Sequence, residues 1–160
     1  MNHDEEEEVS PYFTPIEVNI IKTLAHHPIE QVLYHYWVNN SKDDSFKVLD
    51  YIQLVKDDKT SIFITISDDT DNLGVTESFD VEQMKQHLLE EFKGDIVWEI
   101  KDVSHTKIWK PNIGKTITLS LIRKDSNTLN DSIGMKFEEA DELEIYPSVL
   151  DGLEVDYMNE

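Results

Sequence analysis

The residues best suited to chemistry in this chain are carboxylates, and they are bunched. Between Glu138 and Glu160 stand nine acids, Glu138, Glu139, Asp141, Glu142, Glu144, Asp151, Glu154, Asp156 and Glu160, with no lysine or arginine among them. A second bunch, Asp68, Asp69 and Asp71, precedes Asn72 and Gly74. Closely spaced carboxylates can hold a hard cation, move protons or attract a basic partner. The calcium pattern is incomplete. Acids alternate before Gly74 as in an EF-hand loop, but Leu73 occupies a ligand position and Asp80 stands where a bidentate Glu is needed. The flanks also read as a strand and a helix rather than two helices, so a solvated Asx-type turn accounts for this corner better.

Other catalytic chemistry lacks its residues. The chain has no cysteine, which removes disulfides, thiol catalysis and thiolate zinc sites. Of six histidines, His26 and His27 are adjacent and precede Pro28, so they cannot share a helical face as the ligands of HExxH do; His35, His87 and His105 are far apart in sequence. Five glycines leave little room for a phosphate-cradling loop, and neither GxSxG nor a dinucleotide fingerprint occurs. Among 34 acids, pairs suited to proton transfer arise by chance and diagnose nothing. The expectation is a protein that is not an enzyme, with no cofactor and no metal.

Attraction of a basic partner remains. Fourteen Lys plus Arg against 34 Asp plus Glu give a formal net charge of −20. Such a surface repels nucleic acid and anionic membranes and speeds encounter with basic proteins, although it also serves solubility. Like charges on neighbouring strands destabilise a sheet, so the C-terminal cluster needs a reason: a partner that neutralises it, or protection against edge-to-edge pairing. The partner reading is preferred. The candidate partner-binding set is Glu138, Glu139, Asp141, Glu142, Glu144, Glu154 and Asp156, with Asp68, Asp69 and Asp71 at the corner and Trp109 in a polar loop.

The elements that must position these residues follow from spacing. Residues 1–12, with the run Glu5 to Glu8 and almost no apolar content, are expected to form a disordered acidic tail. Residues 13–160 are expected to form a single α+β domain with a mainly antiparallel sheet and two helices. Thr14-Pro15-Ile16-Glu17 is a capping box opening a helix over about 15–26, with Ile16, Ile20 and Leu24 on one face. Asp80 caps a second helix over about 81–93, striped by Val81, Met84, Leu88 and Phe92 and stopped at Gly94. Ile29 to Val38 carries apolar side chains on both alternating faces, Val32, Tyr34 and Tyr36 on one and Leu33 and Trp37 on the other, as an internal strand does. A hairpin follows, with Lys56 to Lys59 as its turn. Ile96, Trp98 and Ile100 mark another strand, and Ser104 to Asn112 forms the polar loop carrying Trp109.

The final third alternates most strictly. Ile117, Leu119 and Leu121, then Ile133, Met135 and Phe137, then Leu143 and Ile145, then Leu153 and Val155 predict a four-stranded meander with one dry face. Its polar face should hold Lys136, Glu142, Glu144, Glu154 and Asp156. Residues 29–75 and 113–157 share the order strand, polar connection, hairpin, acidic corner. Two readings stay open: an internal duplication, or two ordinary β-meander modules in one chain. One continuous core is expected, containing Ile52, Leu54, Ile62, Ile64, Leu88, Phe92, Met135, Phe137, Leu143 and Ile145. No apolar run approaches the roughly 18–20 residues of a membrane span. The N-terminus lacks the basic start and apolar centre of a secretory signal, which makes the cytoplasm the default location.

A small, cysteine-free, acidic α+β chain with no catalytic motif and an acidic sheet face resembles the immunity proteins that bacteria make against their own polymorphic or contact-delivered toxins. The resemblance implies a stoichiometric inhibitor that occludes a toxin, commonly a basic nuclease. It transfers no individual binding residues. A nucleic-acid-mimicking anti-defence protein, whose carboxylates imitate a phosphate track, is the alternative, and a non-enzymatic domain with no charged partner is the third.

Overall fold

The computed structural model describes residues 13–40, 46–66, 73–123, 132–148 and 152–158. The tail at 1–12 and the corner containing Asp68, Asp69 and Asp71 lie outside these residues.

Among the described residues, two α-helices begin where their caps dictate. In α1 (Pro15–Lys22) the Thr14 hydroxyl accepts from Glu17 N–H at 3.1 Å and the Glu17 carboxylate accepts from Thr14 N–H at 2.9 Å. The second Glu17 oxygen accepts from Val75 N–H at 3.0 Å, so one side chain both caps the helix and ties it to a strand. Ile20, Ile21 and Leu24 are buried, whereas Ile16 is 72% exposed. The helix is therefore rotated away from the expected Ile16 stripe, because two adjacent isoleucines further along compete for the core. In α2 (Val81–Phe92) the Asp80 side chain accepts from Gln83 N–H at 3.0 Å. The helix ends at a left-handed Lys93 (φ 53°) followed by Gly94 at φ 96°, the glycine expected as its stop.

Among the described residues, nine strands form a mostly antiparallel sheet: β1 (Ile29–Asn39), β2 (Phe46–Lys56), β3 (Ser61–Ile66), β4 (Leu73–Thr76), β5 (Ile96–Asp102), β6 (Ile117–Arg123), β7 (Ser132–Phe137), β8 (Glu142–Ser148) and β9 (Gly152–Tyr157). Strand β1 lies between β2 and β5, the internal position its two-faced apolar pattern requires. Along its other edge β2 pairs antiparallel with β3 through residues 51–55 and parallel with β9 at Leu49 and Gly152. From β9 the ladder continues antiparallel through β8 and β7 to β6. The β2–β3 turn starts after Lys56. Lys56 ends β2, is 3% exposed, and donates through Nζ to Thr23 Oγ1 at 2.8 Å.

The sheet curls around a core to which both halves contribute. Ile29, Val32, Ile52, Leu54, Ile62 and Ile64 meet Ile133, Met135, Phe137, Leu143, Ile145 and Leu153 there, with Ile20, Ile21 and Leu24 of the first helical segment packed among them. The expected single core divides in two. Leu88 and Phe92 lie in a separate cluster, where α2 covers Trp37, Tyr51, Ile96 and Trp98 on the opposite face of the sheet. The β6–β7 register shifts between Ile117 and Leu119, which sets Ile117 across from Phe137 but Leu119 across from Lys136.

Candidate functional site

The outward face of β8 and β9 is positioned by a period of two. Leu143, Ile145 and Pro147 are buried, which leaves Glu142, Glu144 and Tyr146 pointing away from the core. Register places Lys136 across from Glu142, Gly134 and Asp156 on either side of Glu144, and Glu154 across from Tyr146. Glu142, Glu144 and Glu154 are half-buried and Asp156 is exposed.

Tyr146 is the centre of this face. Its hydroxyl donates to Asp156 Oδ2 at 2.6 Å and lies 3.3 Å from Glu154 Oε1. A phenol has one proton, so the shorter bond holds it. The Asp156 bond first, then burial and the charges of Asp156 and Glu154, hold the phenol well above the ordinary tyrosine range. Tyr146 is thus a neutral donor at physiological pH. It orders two carboxylates without cancelling their charge, which presents a fixed anionic surface to a guanidinium or ammonium group.

The other predicted site residues are placed as follows. Glu138 and Glu139 sit exposed in the β7–β8 turn, where Glu138 accepts from Thr116 Oγ1 at 3.1 Å and Glu139 has φ 57°. Asp141 is tied inward: its N–H donates to Asn112 Oδ1 at 3.0 Å and its carboxylate accepts from Asn112 Nδ2 at 3.2 Å. Asn112 is itself fully buried and also donates to the Ile108 carbonyl. Asp141 therefore anchors the turn. Trp109 is 0% exposed in the main core, with its indole N–H donating to the Tyr34 hydroxyl at 2.8 Å, so it offers no surface to a partner. Asp68, Asp69 and Asp71 lie outside the described residues.

Two features were missed in the sequence. Tyr146 shares the parity of Glu142 and Glu144, and that spacing could have found it. His35, 1% exposed, shares the parity of Leu33 and Trp37 on a strand covered on both faces. Among the described residues, the group with donor atoms close enough to hold a metal is His27 with Asp57 and Asp58. His27 Nδ1 is 3.0 Å from Asp57 Oδ1 and 3.8 Å from Asp58 Oδ2, while Asp58 Oδ1 accepts from Thr60 N–H and Oγ1. That arrangement is accounted for by a histidine–carboxylate hydrogen bond beside an Asx turn. An open cleft of about 270 Å³ at the start of α2 is lined by Phe79, Asp80, Gln83, Met84 and His87. Its Asp80 carboxylate is committed to the helix cap.

No helix among the described residues is long and apolar enough to cross a membrane. Comparison with known proteins finds no matching family model, curated relative or solved structure.

Proposed function

We propose that this protein is an acidic inhibitor of a basic protein, an immunity protein neutralising a basic toxin, and that it binds through the outward face of β8 and β9. The observation that carries the reading is the Tyr146 cluster. A neutral phenol on β8 holds Asp156 and Glu154 of β9 side by side, and Glu144 lies directly across the ladder from Asp156, where like charges repel. A basic partner would relieve that repulsion, and its approach would be steered by the net charge of −20. The compact grouping around an aromatic side chain suits a protein partner better than the extended track of a nucleic-acid mimic. The reading assigns the protein no catalytic step and a cytoplasmic encounter with its partner. We also read the β1–β4 and β6–β9 ladders as two β-meander modules, whose shared strand order would follow from an internal duplication.

The test is to capture the partner from the native cell, or take the product of a neighbouring gene, and compare association rates at low and high salt. Reversing Glu142, Glu144 and Glu154 to Lys should slow association by at least tenfold at low salt while far-UV circular dichroism stays native. The wild-type rate should fall as salt rises, because screening shortens the reach of steering. Association unaffected by the triple reversal would remove this face from the function.

A further inference from the structure

We propose that His35 is an acid-sensitive latch that fixes Trp98 of β5 beneath α2, on the face of the sheet opposite the main core. The latch is a chain of hydrogen bonds with one allowed protonation state. Trp98 Nε1–H donates to His35 Nδ1 at 3.0 Å. An indole nitrogen is a donor only, so Nδ1 accepts and the ring proton sits on Nε2. That proton is donated to Gln53 Oε1 at 2.8 Å, and Gln53 Nε2 donates in turn to Ser61 Oγ at 3.0 Å. Four side chains from β1, β2, β3 and β5 are joined through one neutral imidazole.

A second proton has nowhere to go. It would add an N–H at Nδ1, facing the Trp98 N–H across the same 3.0 Å, so two donors would oppose each other. Phe63, Phe79 and Trp98 surround the ring at centroid separations of 6.2, 6.2 and 5.8 Å. From β2 the ring bonds Gln53 and has Tyr51 across the ladder; from β3 it meets Phe63; from β5 it meets Trp98 and has Ile100 across the ladder. From α2 the charge acting on it is Lys85, of the same sign as an imidazolium, with Glu82 3.9 Å from that ammonium. Asp102, at the far end of β5, is engaged by Ser104 and Gln31. Burial first, and Lys85 in addition, lower the proton affinity of His35, offset in part by the Gln53 bond.

The sign of the response follows. The open state takes up the proton at a higher pH than the latched state, so opening is favoured as pH falls below about 6.5, the ordinary histidine value. Trp98 and Leu88 belong to the α2 cluster and His35 packs on it, whereas the main core lies on the other side of the sheet. The α2 layer should loosen before the molecule unfolds.

The experiment is nuclear magnetic resonance of the full chain between pH 7.5 and 4.5, following histidine ring nitrogens, the Trp98 indole N–H and amide exchange. At pH 7.5 the His35 ring should be the Nε2–H tautomer. As it protonates, below 6.5, the Trp98 indole resonance should move and protection of α2 amides should fall at least tenfold, while β7 and β8 amides keep theirs. His35→Gln, which can accept from Trp98 and donate to Gln53 without titrating, should keep α2 protected throughout. Protonation of His35 with the Trp98 resonance and α2 protection unchanged would overturn the proposal, as would the same acid opening in His35→Gln. The wild-type measurement decides the matter alone if the variant does not fold.

Discussion

Gly152 lies directly against the Leu49 carbonyl, at the point where β9 runs parallel to β2. A Cβ there would collide with that backbone oxygen and come within 2.6 Å of Val48 Cγ1, and the backbone at φ 84° is strained for any L side chain. This contact joins the β9–β6 ladder, with its acidic face, to the rest of the sheet. Gly152→Ala should lower stability by about 2–4 kcal/mol, the sum of left-handed strain and overpacking. Urea unfolding would measure it, and a change under about 0.5 kcal/mol would show that β9 can shift freely.

The two clusters on opposite faces of the sheet make a prediction about additivity. Ile64→Ala empties a fully buried site in the main core and should cost about 2–5 kcal/mol; Leu88→Ala should cost a similar amount from the α2 cluster. With no shared partners, the double variant should lose the sum to within about 0.5 kcal/mol. Strong coupling in a double-mutant cycle would mean that the faces communicate through the sheet.

Glu17 has two structural tasks, one at the Thr14 cap and one at Val75 N–H on β4. Thr14→Ala removes the cap alone and should cost about 0.5–2 kcal/mol. Glu17→Ala should cost more than Thr14→Ala, because it also frees the β4 amide. Equal losses in thermal unfolding would leave the β4 contact without energetic weight.

Alkaline pH should loosen the main core through Tyr34. Burial pushes its hydroxyl up to about 12, outweighing the lowering effect of the Trp109 bond, with Tyr36 adding to the rise. A folded value above the unfolded one, about 10, means that the stabilisation is complete below pH 10 and is lost as pH rises toward 12. Tyr34→Phe should flatten that decline. It should also cost about 1–3 kcal/mol at pH 7, where the Trp109 indole loses its acceptor. An unchanged alkaline slope would assign the decline to other groups, Tyr146 among them.

The sequence by itself determined what local rules govern. Capping chemistry at Thr14 and Asp80 located the starts of α1 and α2. A period of two identified β1 as covered on both faces and separated Leu143 and Ile145 from Glu142 and Glu144. Each of these depends on residues within a few positions of one another, so the chain carries the whole signal. Tertiary structure alone decided the rest. Alternation says which side chains share a face but not which face meets which, so it does not reveal that the sheet separates Leu88 and Phe92 from the main core. Trp109 sits in a polar stretch, and only the distant Tyr34 hydroxyl and the curl of the sheet make its burial favourable. The pairing of Asp156 with Tyr146 depends on a register between two strands, and that register is set by how the inward faces of β8 and β9 pack on a core assembled from both halves of the chain.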